Sequence, residues 1–170
     1  MRDNLKKIFS LDEKVVIVTG SNRGNGLAIA SGLKELGANV IRIDLSFDIS
    51  NEIGTHDIKL DLRETKKIKD IVKDINKNFA KIDGLVNNAG VSLNSKNPYH
   101  DLNSYFKTLD LNLNASFNMC AAVSPFMIAK NKGSVVNITS LGAERGFPNN
   151  PSYQISKAGL RQATKAMARD

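Results

Sequence analysis

The sequence predicts an α/β protein built on a doubly wound parallel sheet of about five strands, with helices on both faces. Short apolar runs rich in β-branched residues alternate along the chain with segments of helical periodicity. The first run, residues 14–19, is continuously β-branched after its lysine, which is typical of a parallel strand buried on both faces. A β-α-β order of this kind implies right-handed crossovers with helices on both sides of the sheet.

The elements follow in order from periodicity and turn residues. Residues 27–36 are predicted as a helix that ends at Gly37, residues 39–44 as the second strand and 56–60 as a weaker third. An amphipathic helix is predicted at 63–79, because apolar residues recur there every three or four positions. The fourth strand is 82–87, and 101–130 is a long helical region with an irregularity near Pro125. The fifth strand is 134–138, and a last helix starts near residue 152.

Composition narrows the class of protein. The chain has 170 residues, 41% hydrophobic and 24% charged, which suits one globular domain. The net charge is +7, but the lysines are spread out and no basic run is interleaved with aromatic residues, so we expect no nucleic-acid partner. The N-terminus has no apolar signal segment and no window resembles a membrane span, so we expect a cytoplasmic protein with no membrane partner.

Cysteine and histidine are scarce. Cys120 is the single cysteine, so no intrachain disulfide can form, and its apolar neighbours predict a small core residue. His56 and His100 are isolated from each other and from other ligand types, so we expect no metal site.

A glycine-rich turn, TGSNRGNG, occupies residues 19–26 between the first strand and the first helix. Glycines permit a tight turn and let backbone amides approach a diphosphate, and the helix N-terminus adds partial positive charge. The position after a strand and before a helix is the context that a dinucleotide site requires. The residues expected to contact the cofactor here are Gly20, Asn22, Arg23, Gly24, Asn25 and Gly26.

The end of the second strand bears on the choice of cofactor. Asp44 lies 18 residues after Gly26, where a carboxylate can accept hydrogen bonds from ribose hydroxyls and repel a 2′-phosphate. Arg23, in the glycine-rich turn, and Arg42, on the strand face of Asp44, could instead attract that phosphate. The sequence therefore favours NAD, with NADP as the alternative.

A pair of residues in the last helix predicts acid/base chemistry. Tyr153 and Lys157 are four apart and so lie one helical turn from each other. The pKa of a free tyrosine is about 10, and a nearby ammonium group lowers it by favouring the phenolate. Ser140 lies 13 residues before Tyr153, just after the fifth strand, where sites form in such sheets. Thr139 is the alternative hydroxyl.

Together these motifs resemble the short-chain dehydrogenase/reductase family, whose members have a Rossmann fold and the pattern Thr-Gly-x-x-x-Gly-x-Gly. The sequence NNAG at 87–90 and the Ser…Tyr-x-x-x-Lys spacing match as well. The resemblance implies that Asp61 and Leu62 lie over the adenine and that Asn88, Ala89 and Gly90 line the cofactor cleft. It departs at Asn25, where the family usually has an aliphatic residue.

The resemblance also implies a catalytic set of Asn112, Ser140, Tyr153 and Lys157, with Asn114 a weaker competitor for the first. Ser140 and Tyr153 would bind the substrate oxygen and Tyr153 would move the proton. Lys157 would hold the cofactor ribose and tune Tyr153, and Asn112 would hold a water that links Lys157 to solvent. The implied activity is NAD(P)-dependent hydride transfer between the cofactor and a carbonyl or secondary alcohol. A 3-oxoacyl thioester and a sugar or sugar acid are the two substrate classes considered.

Family members normally continue beyond the point that residue 170 matches. We therefore expect residues 1–170 to be a single NAD(P)-binding Rossmann domain without the family's last strands and substrate loop. Family members often form dimers through the two long helices that follow the fourth and fifth strands, so a homodimer or homotetramer is expected at full length. The alternative is an inactive fragment or a dinucleotide-binding regulatory module.

Overall fold

A computed structural model describes residues 8–48, 53 and 55–169. Its centre is a five-stranded parallel sheet with the strand order β3-β2-β1-β4-β5. The strands are β1 (Val15–Thr19), β2 (Asn39–Asp44), β3 (His56–Lys59), β4 (Gly84–Asn87) and β5 (Ser134–Asn137). The order of strands reverses between β1 and β4, and in sheets of this kind ligands bind beyond the carboxyl ends of the strands at such a reversal.

Five α-helices connect the strands or follow them in the described part of the chain. They are α1 (Gly24–Glu35), α2 (Thr65–Phe79), α3 (Leu102–Leu109), α4 (Ser116–Ala129) and α5 (Pro151–Met167). A π-helical segment, Asp110–Ala115, joins α3 to α4, and a short 3₁₀ turn, Leu141–Ala143, follows β5. The predicted fold class, a doubly wound parallel sheet, is confirmed.

The sheet separates two apolar cores, because successive side chains of a strand point to opposite faces. Ile17 of β1 belongs to the larger core, with residues of α2 and α4 such as Ile68 and Met119. Val16 and Val18 belong to the smaller core, where Ala30 of α1 packs on the sheet. This two-sided burial explains why the first four residues of β1 are apolar, and it fixes the carboxyl end of β1 at the centre of the molecule.

The irregularity predicted near Pro125 is wrong in position. Pro125 lies inside α4, which is α-helical throughout, and the irregular part is the π-helical segment that ends at Ala115. A proline cannot donate to the carbonyl four residues earlier. Here the hydroxyl of Ser124 donates to the carbonyl oxygen of Ala121 at 3.5 Å, so that acceptor keeps a partner.

Two further features concern the start of the first helix and the exposed edge of the sheet. The first helix begins at Gly24, three residues earlier than predicted, so the last glycines of the turn lie in its first turn. β5 lies at one edge of the sheet, and Val135 and Val136 are 39% and 48% exposed. No helix among the described residues is long and apolar enough to cross a bilayer.

Candidate active site

The glycine-rich turn is held against the end of β4 by contacts that only glycine permits. Gly20 has φ +64°, a conformation that favours glycine, and a Cβ there would lie 2.6 Å from the Cα of Ala89. A Cβ on Gly26 would lie 2.0 Å from the carbonyl oxygen of Gly20. The backbone of the turn and the backbone of the segment after β4 are therefore in direct contact, and an open groove lies above them.

Thr19 and Asn88 join the ends of β1 and β4. The hydroxyl of Thr19 accepts hydrogen bonds from the backbone N–H groups of Asn88 and Ala89, both at 3.1 Å. The side-chain amide of Asn88 donates to the carbonyl oxygens of Thr19 at 3.1 Å and Gly20 at 2.8 Å. Because the polar groups at this reversal point are paired with each other, its shape is set before any ligand binds.

A cleft of about 520 Å³ opens above these strand ends. Nine of the residues predicted to bind the cofactor line it, namely Gly20, Arg23, Asn25, Asp44, Asp61, Leu62, Asn88, Ala89 and Gly90. Asn22, Gly24 and Gly26 were predicted with them but do not line the cleft. Asn22 is 6% exposed and Gly26 is buried, so both belong to the packed part of the turn rather than to the surface of the cleft.

Asp44 is held at the mouth of the cleft by the backbone. One carboxylate oxygen accepts the N–H of Asn22 at 2.8 Å, and the other accepts the N–H of Leu45 at 2.7 Å. A carboxylate oxygen has more than one acceptor position, so both oxygens can still bind ribose hydroxyls. The position of Asp44 is thus fixed by the glycine-rich turn.

The structure does not support the suggestion that Arg42 attracts a 2′-phosphate. The side chain is 1% exposed and forms a two-point ion pair with Asp57, with Nε at 2.8 Å from one carboxylate oxygen. The guanidinium carbon also lies 4.8 Å from the ring centroid of Phe47. Arg23, in contrast, is exposed and lines the cleft.

Asp61 and Arg63 form a second ion pair at the cleft, which the sequence did not lead us to expect. Nε of Arg63 lies 2.9 Å from one carboxylate oxygen of Asp61, and Nη2 lies 2.6 Å from the other. These hydrogen bonds hold the pKa of Asp61 below its usual value and raise the pKa of Arg63. Asp61 is therefore ionised, and Arg63 uses part of its capacity to accept hydrogen bonds.

Asn112 lies in the π-helical segment and is completely buried. Its side-chain oxygen accepts the N–H of Val91 at 2.8 Å, and its amide nitrogen lies 2.9 Å from the carbonyl oxygen of Val91 and 3.1 Å from the hydroxyl of Ser156. The side chain thus connects the segment after β4 to α5. Both N–H groups of the side-chain amide thus have acceptors within the protein.

Lys157 lies at the carboxyl end of β5. Its ammonium nitrogen is 2.7 Å from the carbonyl oxygen of Ile138 and 5.8 Å from the ring centroid of Tyr153. The side chain is 4% exposed, and burial lowers the pKa of Lys157. A Cβ on Gly90 would lie 3.6 Å from this nitrogen and 3.1 Å from the side-chain oxygen of Asn112. The cleft and two of the predicted catalytic residues, Asn112 and Lys157, therefore meet at Gly90.

The segment between β5 and α5 places Ser140 beside the start of the last helix. The hydroxyl of Ser140 accepts the N–H of Gly142 at 3.1 Å. A Cβ on Gly142 would meet both this hydroxyl, at 3.5 Å, and Cγ of Gln154, at 3.2 Å. The amide of Gln154 in turn pairs with both the N–H and the carbonyl oxygen of Phe147, each at 2.6 Å.

Sequence reasoning did not assign roles to several residues that build this site. Thr19 and Ser156 were noted only as parts of motifs, although each bonds a residue of the predicted site. Val91 and Asp48 carried no sequence signal, because their contacts with Asn112 and Asn22 join residues that are far apart in the chain. Within the described part of the chain, no group of three or more His, Cys, Asp or Glu residues could hold a metal ion.

The comparisons with known proteins agree with this geometry. The model of the short chain dehydrogenase family matches residues 14–170, which is most of the chain. The chain belongs to the short chain dehydrogenase family. Enzymes of this family act on alcohol and carbonyl groups with NAD(P), and this membership confirms the resemblance found in the sequence.

Relatives in the family differ in substrate. The chain is 32% identical over 172 residues to the 2-dehydro-3-deoxy-D-gluconate 5-dehydrogenase of Pseudoalteromonas atlantica, with 95% of the chain and 68% of that protein covered. It is 33% identical to the NAD-dependent glycerol dehydrogenase of Listeria innocua, with 95% of the chain and 66% of that protein covered. The structure of Thermoplasma acidophilum aldohexose dehydrogenase matches with a TM-score of 0.88 and 31% identity, over 94% of the chain and 62% of that protein. The chain thus spans about two thirds of each of these relatives.

Proposed function

We propose that the protein is an NAD(P)-dependent oxidoreductase that interconverts a carbonyl and a secondary alcohol, with NAD as the preferred cofactor. We also propose that the chain forms one dinucleotide-binding domain. The observation that carries the proposal is the meeting of the cleft with Lys157 and Asn112 at Gly90. A dinucleotide site and an acid/base pair serve one reaction only if they are contiguous.

The residues present fit a dinucleotide. A Cβ on Gly24, at the N-terminus of α1, would meet nothing within 4 Å, so this end of the turn has open space that suits a diphosphate. Asp44 lines the same cleft and retains acceptor capacity for ribose hydroxyls. When bound, the nicotinamide cofactor supplies or accepts the hydride.

The chain's own residues supply the proton transfer. The hydroxyl groups of Ser140 and Tyr153 are proposed to donate hydrogen bonds to the substrate carbonyl oxygen and to orient it. During reduction, the Tyr153 hydroxyl gives its proton to that oxygen; during oxidation, the phenolate accepts the proton of the alcohol. The ammonium group of Lys157 stabilises the phenolate. Asn112 keeps α5 and the segment after β4 in register through Ser156 and Val91.

We infer that the substrate is a small hydroxylated molecule of the sugar-acid or polyol class. The support is the identity of two relatives, a 2-dehydro-3-deoxy-D-gluconate 5-dehydrogenase and an NAD-dependent glycerol dehydrogenase. The experiment assays the purified protein with NAD and a panel of sugar acids, glycerol and a 3-hydroxyacyl thioester. Turnover restricted to the thioester would overturn the inferred class.

The variant Tyr153→Phe tests the chemistry itself. It removes the proton donor but retains the ring, so turnover is expected to fall at least about 100-fold, the contribution typical of general acid–base catalysis. NADH binding, followed by cofactor fluorescence, is expected to stay within about twofold. Tyr99→Phe is the matched control, because Tyr99 is 76% exposed and lies outside the cleft.

Two outcomes would contradict the proposal. If Tyr153→Phe retains turnover, the acid/base role is wrong. If the protein binds NADH but turns over no member of the panel, the regulatory-module alternative is favoured over the enzyme.

A further inference from the structure

A second carboxylate is fastened near the one that lines the cleft. The side-chain nitrogen of Asn22 lies 3.3 Å from a carboxylate oxygen of Asp48, and the side-chain oxygen of Asn22 accepts the N–H of Asp48 at 3.0 Å. The backbone N–H of Asn22 donates to Asp44 at 2.8 Å. One buried residue therefore contacts both carboxylates.

The shared contact limits the distance between the two charges. The backbone and side-chain nitrogens of one asparagine are no more than about 5 Å apart, as its bond lengths require. Adding the two hydrogen bonds, 2.8 Å and 3.3 Å, gives an upper limit of about 11 Å between the contacting oxygens of Asp44 and Asp48. This limit is close to the Debye length of about 8–10 Å in physiological to 0.1 M salt, so part of the field of Asp48 reaches the end of β2.

The nearby cations do not cancel both carboxylates. Arg42 of β2 is buried and forms an ion pair with Asp57 of β3, the strand on the side of β2 away from β1. Arg23 is exposed at the cleft and is the cation positioned to oppose Asp44. Asp48 is exposed and forms no ion pair within the 4 Å limit among the described residues, so its charge acts through solvent.

We propose that Asp48 is a second selectivity residue, which works with Asp44 to disfavour a dinucleotide that carries a 2′-phosphate. The inference rests on the proposed function, because it assumes that the adenosine ribose lies beside Asp44. A 2′-phosphate there carries up to two negative charges, whereas the 2′-hydroxyl of NAD carries none. Asp48 therefore weakens the binding of NADPH and leaves the binding of NADH nearly unchanged.

The size of the effect follows from Coulomb's law. If the limit between the two carboxylates is taken as the separation of Asp48 from a phosphate beside Asp44, about 10 Å in a solvent-like dielectric, the carboxylate and a dianionic phosphate repel weakly, and salt screens them further. We therefore expect Asp48→Asn to strengthen NADPH binding about two- to fourfold in low salt. Asp44→Asn is expected to have a larger effect, about tenfold, because Asp44 lines the cleft itself.

The experiment measures the dissociation constants of NADH and NADPH by cofactor fluorescence for the wild type, Asp48→Asn, Asp48→Ala and Asp74→Asn. Asparagine removes the charge of Asp48 but keeps an oxygen that can accept the hydrogen bond from Asn22. Alanine removes both charge and acceptor. Asp74→Asn removes the same charge from an exposed position of α2 and controls for net charge.

The expected result is a lower NADPH constant in both Asp48 variants, an unchanged constant in Asp74→Asn, and loss of the difference in 0.5 M salt. A shift in Asp48→Ala alone would mean that Asp48 only positions Asn22, and would overturn the proposal. Equal shifts in Asp48→Asn and Asp74→Asn would overturn it as well. If the wild type binds neither cofactor, the proposed function fails instead, so the two failures are distinguishable.

Discussion

Three asparagine side chains act as cross-links in this site. Asn88 bonds the backbone of the glycine-rich turn, Asn112 bonds both backbone groups of Val91, and Asn22 bonds Asp48. An amide can donate and accept at once, so each of these residues can pair with backbone groups that would otherwise remain unsatisfied. Removal of such a side chain leaves those groups without partners, which costs more than the bond contributes.

Asn112→Ala is therefore expected to destabilise the protein by about 2–4 kcal/mol, because the N–H and carbonyl groups of half-buried Val91 and the buried hydroxyl of Ser156 lose Asn112 as a partner. Chemical denaturation measures this change in the free energy of unfolding. Asn114→Ala is the control: Asn114 lies in the same π-helical segment but is exposed and bonds Asp110, so its loss should cost under about 1 kcal/mol. Equal losses in the two variants would contradict the cross-linking role.

Lys157 gives stability a dependence on pH. Burial lowers its pKa in the folded state below the unfolded value, so the unfolded chain binds more protons between those two pKa values. In that window, which ends near the ordinary lysine pKa, stability from this group rises as pH rises. Unfolding measured from pH 7 to pH 10 should therefore show the wild type gaining stability relative to Lys157→Met. A flat difference across that range would contradict the assignment.

At the scale of single residues, the sequence identified side chains suited to acid/base chemistry more readily than the residues that a given side chain contacts. Tyr153 and Lys157 were recognisable because their spacing places them on one face of a helix, and the structure puts the ammonium nitrogen 5.8 Å from the ring centroid. The partner of Asn112 could not be found in this way, since Val91 lies in a loop 21 positions earlier with no distinguishing type. The ion pair of Arg42 with Asp57 likewise needed the pairing of β2 with β3.

Among the secondary-structure elements, the glycine-rich turn is the one whose shape depends most on residue type. Gly26 and Gly32 are both in α1, but only Gly26 faces another part of the backbone. The sequence predicted that the turn would hold glycines for close approach. It could not predict that Gly24 already begins the helix, because the helix propensity of glycine is low.

Gly26 and Gly32 make a matched pair for mutation. Gly26→Ala is expected to destabilise the protein by about 3 kcal/mol or more and to abolish NADH binding, because the new Cβ would lie 2.0 Å from the carbonyl oxygen of Gly20. Gly32→Ala meets nothing within 4 Å and should stabilise α1 by about 0.5–1 kcal/mol. Thermal denaturation and cofactor fluorescence check both. Similar behaviour of the two variants would contradict the proposed packing of the turn.

For the molecule as a whole, the pattern of apolar runs was enough to predict the sheet and its two faces. Parallel strands buried on both sides must be apolar at successive positions, as β1 is, and this signal is strong. The weaker third strand, predicted at residues 56–60, is observed as β3 at His56–Lys59 with the sequence HDIK. The π-helical segment was not predicted, since one extra residue in a helix leaves no mark on composition.

The cleft draws its lining from β1, β2 and the segments after β3 and β4, so the complete site exists only in the folded sheet. A ligand that binds the folded state alone stabilises it by about 2.7 kcal/mol at one hundred times its dissociation constant. NADH is therefore expected to raise the melting temperature of the wild type in a concentration-dependent way. The same concentrations should leave Gly26→Ala unchanged. A rise of equal size in that variant would place the binding elsewhere.

The π-helical segment between α3 and α4 has a consequence for how this site can be lost. A π turn is an α-helix that holds one extra residue, so deletion of one residue between Asp110 and Ala115 would restore a regular helix. The extra residue is accommodated within the widened turn, so this deletion would leave α3 and α4 nearly in phase and would change chiefly the turn that holds Asn112. The chain can therefore have either a regular helix here or the π-helical turn that positions Asn112. Deletion of a single codon would give the longer, more regular helix and would lose the site.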